Sequence, residues 1–259
     1  MSQAAGLDHI GIVGRDLNAM AAAFGAAGFH LTPLARHAGG RTGNRCAMFP
    51  DGGYLELMAT VDGGTSATID RFLASHEGAH LLAFGIDNPT ATRARLRHAW
   101  GDKPPMSHTD RAVDDADPTG LRARFTLIGP FDRPEARVNL IHHETPDALW
   151  QPRFLQHPNN AVALEEVVLT VPEPAIAAAW YSQLAGRPVV PDPAGGFALP
   201  LPCGRVRILP GAATASPRIA AIAIRTKDSA DAAPRLIPGA QVDNAITEAT
   251  IGGTTIRFV

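Results

Sequence analysis

The chain has 259 residues, 45% of them hydrophobic, with a formal net charge of −2. That size suits one large domain or two ordinary ones, with ample chain for a buried core. The balance of 23 Lys and Arg against 25 Asp and Glu, without a basic run, excludes a nucleic-acid partner, and no apolar run is long enough to span a bilayer. No charged leader followed by an apolar stretch opens the chain, so a cytoplasmic location is the expectation. Cys46 and Cys203 lie far apart, form no CxxC, and read as buried free thiols of a reducing compartment.

In chain order, Asp8 to Val13 alternates as a half-buried strand. Asp16 then caps a helix over Leu17–Ala27, Gly28 stops it, and Phe29–Leu34 starts a second strand. His37–Gly43 is a Gly-rich loop. Asn44–Phe49 and Tyr54–Ala59 form a hairpin across Pro50-Asp51-Gly52-Gly53. In its second strand Leu55 and Leu57 share one face, and Tyr54, Glu56 and Met58 the other. The unit is βαβββ, and Thr65–His76 reads as a connecting helix.

Ala79–Ile86 restarts the pattern, with a helix from Pro89 to Trp100. A polar stretch over 101–120 carries one strand near Met106, and Arg122–Ile128 and Arg137–His143 are strands. Glu144–Ala161 holds three prolines and no clear period, so it reads as a linker. A third unit begins at Leu164, with a helix from Pro174 to Ala185 and short strands near Pro188, Phe197 and Arg205–Leu209. A fourth begins at Arg218, with a helix after Asp228 and strands over Ala245–Ile251 and Thr254–Val259. Four openings are alike: HIGIVGRDL, HLLAFGIDN, EVVLTVPEP and IAAIAIRTKD. A repeat of this length decides the fold class.

Modules opening with DHIGIVGRDL and closing with GGYLELMA resemble the vicinal oxygen chelate superfamily, which includes glyoxalase I, extradiol dioxygenases and bleomycin-resistance proteins. The stretch LIHHETPDALWQPRFLQHPNNA resembles a motif that the glyoxalase-like branch adds after its second module. The resemblance implies an α+β protein with four βαβββ modules paired into two glyoxalase/extradiol-dioxygenase-like domains. These would be an N-terminal domain over 1–145, a linker over 146–162, and a degenerate C-terminal domain over 163–259. It also implies a divalent metal (Zn, Fe, Mn, Ni or Co) held in a cup by residues from the first and last strand of each N-terminal module. Residue by residue, these are His9, Glu56, His80 and His142. Such a metal would hold vicinal oxygens of a small substrate for a lyase, isomerase or dioxygenase reaction, with Glu56 the candidate to move a proton. Asn44, His157 and Asn159 are candidate substrate contacts, and a homodimer is an open expectation.

Each signal has a plainer competitor. A lone strand histidine is more often packed than ligating, and only the shared place of His9 and His80 in two repeats raises them together. An inward Glu56 must be paired or metal-bound, and a salt bridge to Arg45 or Arg124 would also serve. His142 and His143 face opposite ways, and parity with Glu56 selects His142. The segment from Gln156 to Asn160 is either a substrate loop or an Asx-type turn that fixes the linker. Glu166 and Ala220 stand where His9 and His80 stand in the first half, with Ile208 and Ile256 near the closing-strand positions, so the second half reads as a structural partner. The competing function is a metal-free cup that sequesters a small ligand.

Overall fold

The computed structural model describes residues 3–212, 214–227, 241–243 and 246–259. The first module comprises β1 (Ala4–Val13), α1 (Leu17–Ala26), β2 (Ala35–Arg36), β3 (Thr42–Met48) and β4 (Tyr54–Thr60). After α2 (Ala67–Leu73), the second comprises β5 (Gly78–Ile86), α3 (Pro89–Trp100), β6 (Met106–Ala112), β7 (Arg122–Asp132) and β8 (Arg137–His143). A short helix α4 (Pro146–Leu149) and a 3-10 turn (Pro152–Phe154) occupy the connection read as a linker. The third module has β9 (Ala161–Val171), α5 (Pro174–Ala185), β10 (Val190–Pro191), β11 (Phe197–Pro200) and β12 (Arg205–Pro210). The last contributes β13 (Arg218–Thr226), β14 (Gln241–Asp243), β15 (Ile246–Ile251) and β16 (Thr254–Phe258). The helix expected after Asp228 lies outside the described residues.

This is an α+β fold of two eight-stranded sheets, ordered β2-β3-β4-β1-β5-β8-β7-β6 and β10-β11-β12-β9-β13-β16-β15-β14. Within each, two modules join through an antiparallel pair, β1 with β5 and β9 with β13. The local signals explain the elements. Asp16 accepts from the backbone N–H groups of Asn18 and Ala19 to cap α1, and Asn88 caps α3 ahead of Pro89. The strand expected over Phe29–Leu34 does not form there; the strand seen is the two-residue Ala35–Arg36 that follows it. Pro33 interrupts the ladder, and the Thr32 hydroxyl takes the Cys46 N–H.

Period-2 alternation sends Ile10, Ile12, Leu55, Leu57, Leu82, Phe84, Val138 and Leu140 to one face of the first sheet, where they join a single apolar core. That core also takes Phe24 of α1, Tyr181 of α5, and Val167, Val206, Ile222 and Ile256 of the second sheet. Each large side chain fully buried there contributes about 1.5–3 kcal/mol. The halves also interlock by close backbone approach. A Cβ on Gly253, in the β15–β16 turn, would lie 2.2 Å from the Glu77 carbonyl oxygen, and one on Gly53, in the β3–β4 turn, 2.9 Å from the Leu164 Cβ. Each hairpin thus docks on the opposite sheet.

The other face of the first sheet is a cup. Its two edges are drawn together where the Asp115 N–H donates to the Leu34 carbonyl (2.8 Å) and Arg36 Nε donates to Asp115 Oδ2 (2.9 Å). Among the described residues no helix is long and apolar enough to cross a membrane. Cys46 is buried and Cys203 exposed, so the expectation of two buried thiols holds for one of them.

Candidate functional site

Because Ile10, Ile12, Leu55 and Leu57 turn into the core, His9 and Glu56 turn into the cup. β1 and β4 run parallel with His9 beside Tyr54 and Gly11 beside Glu56. The diagonal brings His9 Nε2 to 3.7 Å from Glu56 Oε2. On its other side the His9 ring donates through Nδ1 to Asp8 Oδ1 at 2.6 Å, and it stacks on Tyr54 with centroids 4.5 Å apart. One imidazole therefore sits between two carboxylates. The cavity above it holds about 330 Å³, and its apolar walls include Met48, Met58, Leu81, Phe125, Leu127 and Ile141.

The charges follow from this geometry. Burial favours neutral His9, but the Asp8 hydrogen bond and charge, with the Glu56 charge, outweigh it and raise its pKa above 6.5. Burial also favours protonated Glu56, yet the His37 hydrogen bond, the His9 and His37 charges and the Asn44 hydrogen bond bring it down to about 2. Asp8 is likewise lowered against the penalty of burial, by the charge and hydrogen bond of His143 and by those of His9. Burial first, then the Glu56 charge, pushes the Cys46 thiol up, so it is a packed thiol rather than a nucleophile.

Of the residues anticipated from sequence, His9, Asn44 and Glu56 come together. Asn44 donates through Nδ2 to Glu56 Oε1 and so supports the carboxylate. The partner of Glu56 is neither Arg45 nor Arg124; it is the set His9, His37 and Asn44.

His80 is not brought to this group. Ile12 pairs with Ala79 and Gly11 with Leu81, which leaves His80 as the extra residue of a bulge. Its ring donates to the His76 carbonyl (2.9 Å) and stacks on Phe72. The pairing of Ile10 with Leu82 relates His9 to Leu81 by the two-fold between modules. The parallel registers, His9 with Tyr54 and Leu81 with Arg137, then carry Glu56 to Asn139. Leu81 and Asn139 do line the cup.

His142 also turns away. It lies between the cup-lining Ile141 and His143 on β8, and its Nδ1 donates to the Ile86 carbonyl at 3.0 Å. His143 is the cup residue, donating through Nε2 to Asp8 Oδ2 at 3.1 Å. His157 and Asn159 lie beneath the sheet. His157 bridges the His30 N–H and the Met48 carbonyl, while Asn159 donates to the Ala27 carbonyl and accepts from the Ala161 N–H, the Asx-type turn. They fix the connection between the halves. Among the described residues no group of three or more His, Cys, Asp or Glu side chains is arranged to hold a metal ion.

Sequence reasoning missed Asp8, His37, Tyr54 and Arg111, all of which shape the cup. His37 Nε2 donates to Glu56 Oε1 at 3.3 Å, and its other ring nitrogen is held by the Thr42 hydroxyl at 2.9 Å. Asp8 was legible as an acid next to an inward histidine. His37 and Arg111 carried no periodic signal: His37 arrives through the β2–β3 hairpin, and Arg111 through the meeting of the sheet edges.

Residues 7–185 match a family model described as a glyoxalase-like domain. No curated protein matches the sequence. Among solved structures, a hypothetical protein from Staphylococcus aureus is similar with a TM-score of 0.71 and 14% identity, covering 98% of each chain. The Mn(II)-bound glyoxalase from Novosphingobium aromaticivorans is similar with a TM-score of 0.61 and 15% identity, over 100% of this chain and 82% of that one. Homoprotocatechuate 2,3-dioxygenase from Arthrobacter globiformis has a TM-score of 0.60 and 13% identity, over 99% of this chain and 79% of that one. At these identities the likeness is one of fold.

Proposed function

The chain belongs to the glyoxalase-like domain family, within the vicinal oxygen chelate superfamily, and from that premise we propose that it is an enzyme that moves a proton on a small organic substrate held in the N-terminal cup. The observation that carries this reading is the imidazole of His9, flanked by Asp8 and Glu56 at the wall of a cavity of about 330 Å³. That volume is at the small end of ligand pockets, which run from roughly 300 to 1,000 Å³.

Efficient acid–base groups titrate near the working pH. Glu56, at about 2, is too weak a base for that task. The sequence reading gave Glu56 the proton-moving role; here it goes to His9, raised from 6.5 by its two carboxylate neighbours. Glu56 serves as the counter-charge for the imidazolium that forms when neutral His9 takes the proton from the substrate carbon, and His9 then returns that proton or exchanges it with solvent. Asp8 fixes which ring nitrogen faces the cup, and Asn44 and His37 hold Glu56 in line. The apolar walls exclude water and strengthen these interactions.

A divalent metal, such as the Mn(II) of the glyoxalase neighbour, is the other chemistry this family suggests. At the four positions related by the module repeat the cup offers one imidazole and one carboxylate, His9 and Glu56, with Leu81 and Asn139 at the other two, while His37 and His143, which also line it, are tied to Glu56 and Thr42 and to Asp8. This donor set does not fit a site of three or four His and carboxylate ligands, so no step of the proposal runs through a metal. The second reading, sequestration without turnover, draws on the same apolar lining. Deuterium exchange next to the carbonyl of small ketones and 2-oxo acids, followed by proton NMR in heavy water, separates the two. Exchange by the wild type that is lost in His9→Gln, with the melting temperature retained, supports the enzyme. Ligand binding without exchange supports sequestration.

A further inference from the structure

Among the described residues, one cation of the cup has two buried nitrogens without a partner. Arg111, on β6, lines the same cavity as His9 and Glu56, and its Nε and Nη1 are buried without a hydrogen-bond acceptor. Buried guanidinium groups are ordinarily satisfied in a fixed fork, commonly by carboxylates. Among the described residues the acids around it are engaged elsewhere, and Asp114, which shares its crevice, accepts from the Ala116 N–H. Glu56 is held by His37, His9 and Asn44, and Asp8 by His9 and His143. Asp110 pairs with Arg122, and Asp115 with Arg36.

Two spaces border Arg111. The crevice it shares with Thr32, Asn44 and Phe154 holds only about 20 Å³, room for a single water. The cup holds about 330 Å³ and is lined beyond Arg111 by Leu127, Phe125 and Met58. Only the larger space accepts an organic anion. The charge of Arg111 is felt by His9, Cys46 and Tyr54, so the guanidinium acts on the inside of the cup.

We propose that the cup takes an organic monocarboxylate, its carboxylate paired with Arg111 and its apolar body laid against the β7 and β8 walls. This rests on the reading of the cup as the substrate site and narrows the substrate to acids rather than neutral carbonyl compounds. It also sets the distant end of the substrate toward His9. Arg111 is a specificity-determining residue in this account, and His9 the group that meets the reacting carbon.

Benzoate and its uncharged counterpart benzamide are the probes, titrated calorimetrically into the full chain. The expected result is millimolar or tighter binding of benzoate, weakened about 10–100-fold in Arg111→Gln, with benzamide binding wild type no better than benzoate binds the variant. Arg111→Lys, which keeps the charge but loses the fork, restores part of the affinity. Circular dichroism melting of each variant confirms that it is folded. Equal binding of benzoate and benzamide, an unchanged affinity in Arg111→Gln, or no benzoate binding by wild type overturns the proposal. The two readings fail separately. Arg111-dependent benzoate binding without proton exchange leaves the anion site and removes the catalysis. Exchange on neutral ketones that ignores Arg111→Gln leaves the catalysis and removes the substrate class.

Discussion

The two halves of the molecule put opposite chemistry on one scaffold. In the second sheet Val167 and Leu169 enter the core as Ile10 and Ile12 do in the first, and β9 pairs with β12 so that Glu166 lies beside Arg205 and Val168 beside Arg207. Glu166 therefore stands where His9 stands, and Arg207 where Glu56 stands. The sequence reading put Ile208 near that closing position, but Ile208 is fully buried in the core. The Glu166 carboxylate is neutralised by Arg205 (2.5 Å) and approached by Arg207 (3.6 Å), which in turn clamps Asp192 through two hydrogen bonds. Both partners of the Glu166 carboxylate there are guanidinium groups, which keep their charge at any working pH. The first half instead sets a titratable imidazole against its acids and, among the described residues, leaves Nε and Nη1 of Arg111 without an acceptor. A closed network of fixed charges holds a fold, whereas an open one with a proton to exchange is equipped to act on a ligand.

The sharpest way to break this contrast is His9→Gln. Loss of a positioned acid–base group lowers the rate by about 10²–10⁴-fold, measured as proton exchange on an accepted substrate. Glu166→Gln in the second half leaves that rate unchanged. Equal losses in both variants would erase the distinction.

The acid limb of stability comes next. The Glu56 carboxyl titrates at about 2 in the folded chain against 4.5 in its ordinary state. As pH falls below 4.5 the unfolded chain takes up this proton first, so stability present above pH 4.5 drains away between 4.5 and about 2. The loss attributable to this group is at most about 3 kcal/mol. Glu56→Gln flattens that limb in denaturation followed against pH. His9 contributes with the opposite sign: raised above 6.5, its stabilisation is full below 6.5 and lost as pH rises through its folded value.

Glu166→Ala has a smaller expected effect, about 1–2 kcal/mol by urea denaturation, because Asp192 still holds Arg207 and Arg205 is half exposed. His80→Phe is the mildest, below about 1 kcal/mol, since an aromatic ring still stacks on Phe72. It leaves proton exchange intact. A large loss of activity in that variant would return His80 to the site.

The fold was legible because it is repetitive. HIGIVGRDL, HLLAFGIDN, EVVLTVPEP and IAAIAIRTKD all open strands, and the alternation of Ile10, Ile12, Leu55 and Leu57 fixed the face on which His9 and Glu56 lie. The remainder of the site was lost to single-residue slips. DHIGIV and AHLLAF read alike, yet the bulge at His80 moves Leu81 into the cup, and on β8 one step exchanges His142 for His143. Letters cannot register a bulge, because it depends on the pairing of two distant strands. His37 and Arg111 belong to a Gly-rich loop and a polar edge strand without period; the β2–β3 hairpin folds His37 back to Glu56, and the Leu34–Asp115 closure brings the β6 edge to the cavity.

The central claim is that His9 carries an exchangeable proton between two carboxylates, facing a ligand space. Nitrogen-15 NMR of the labelled imidazole across a pH titration reads this directly. The account predicts a His9 midpoint above 6.5 that drops in Glu56→Gln. A midpoint below 6.5, or one indifferent to Glu56, would contradict it.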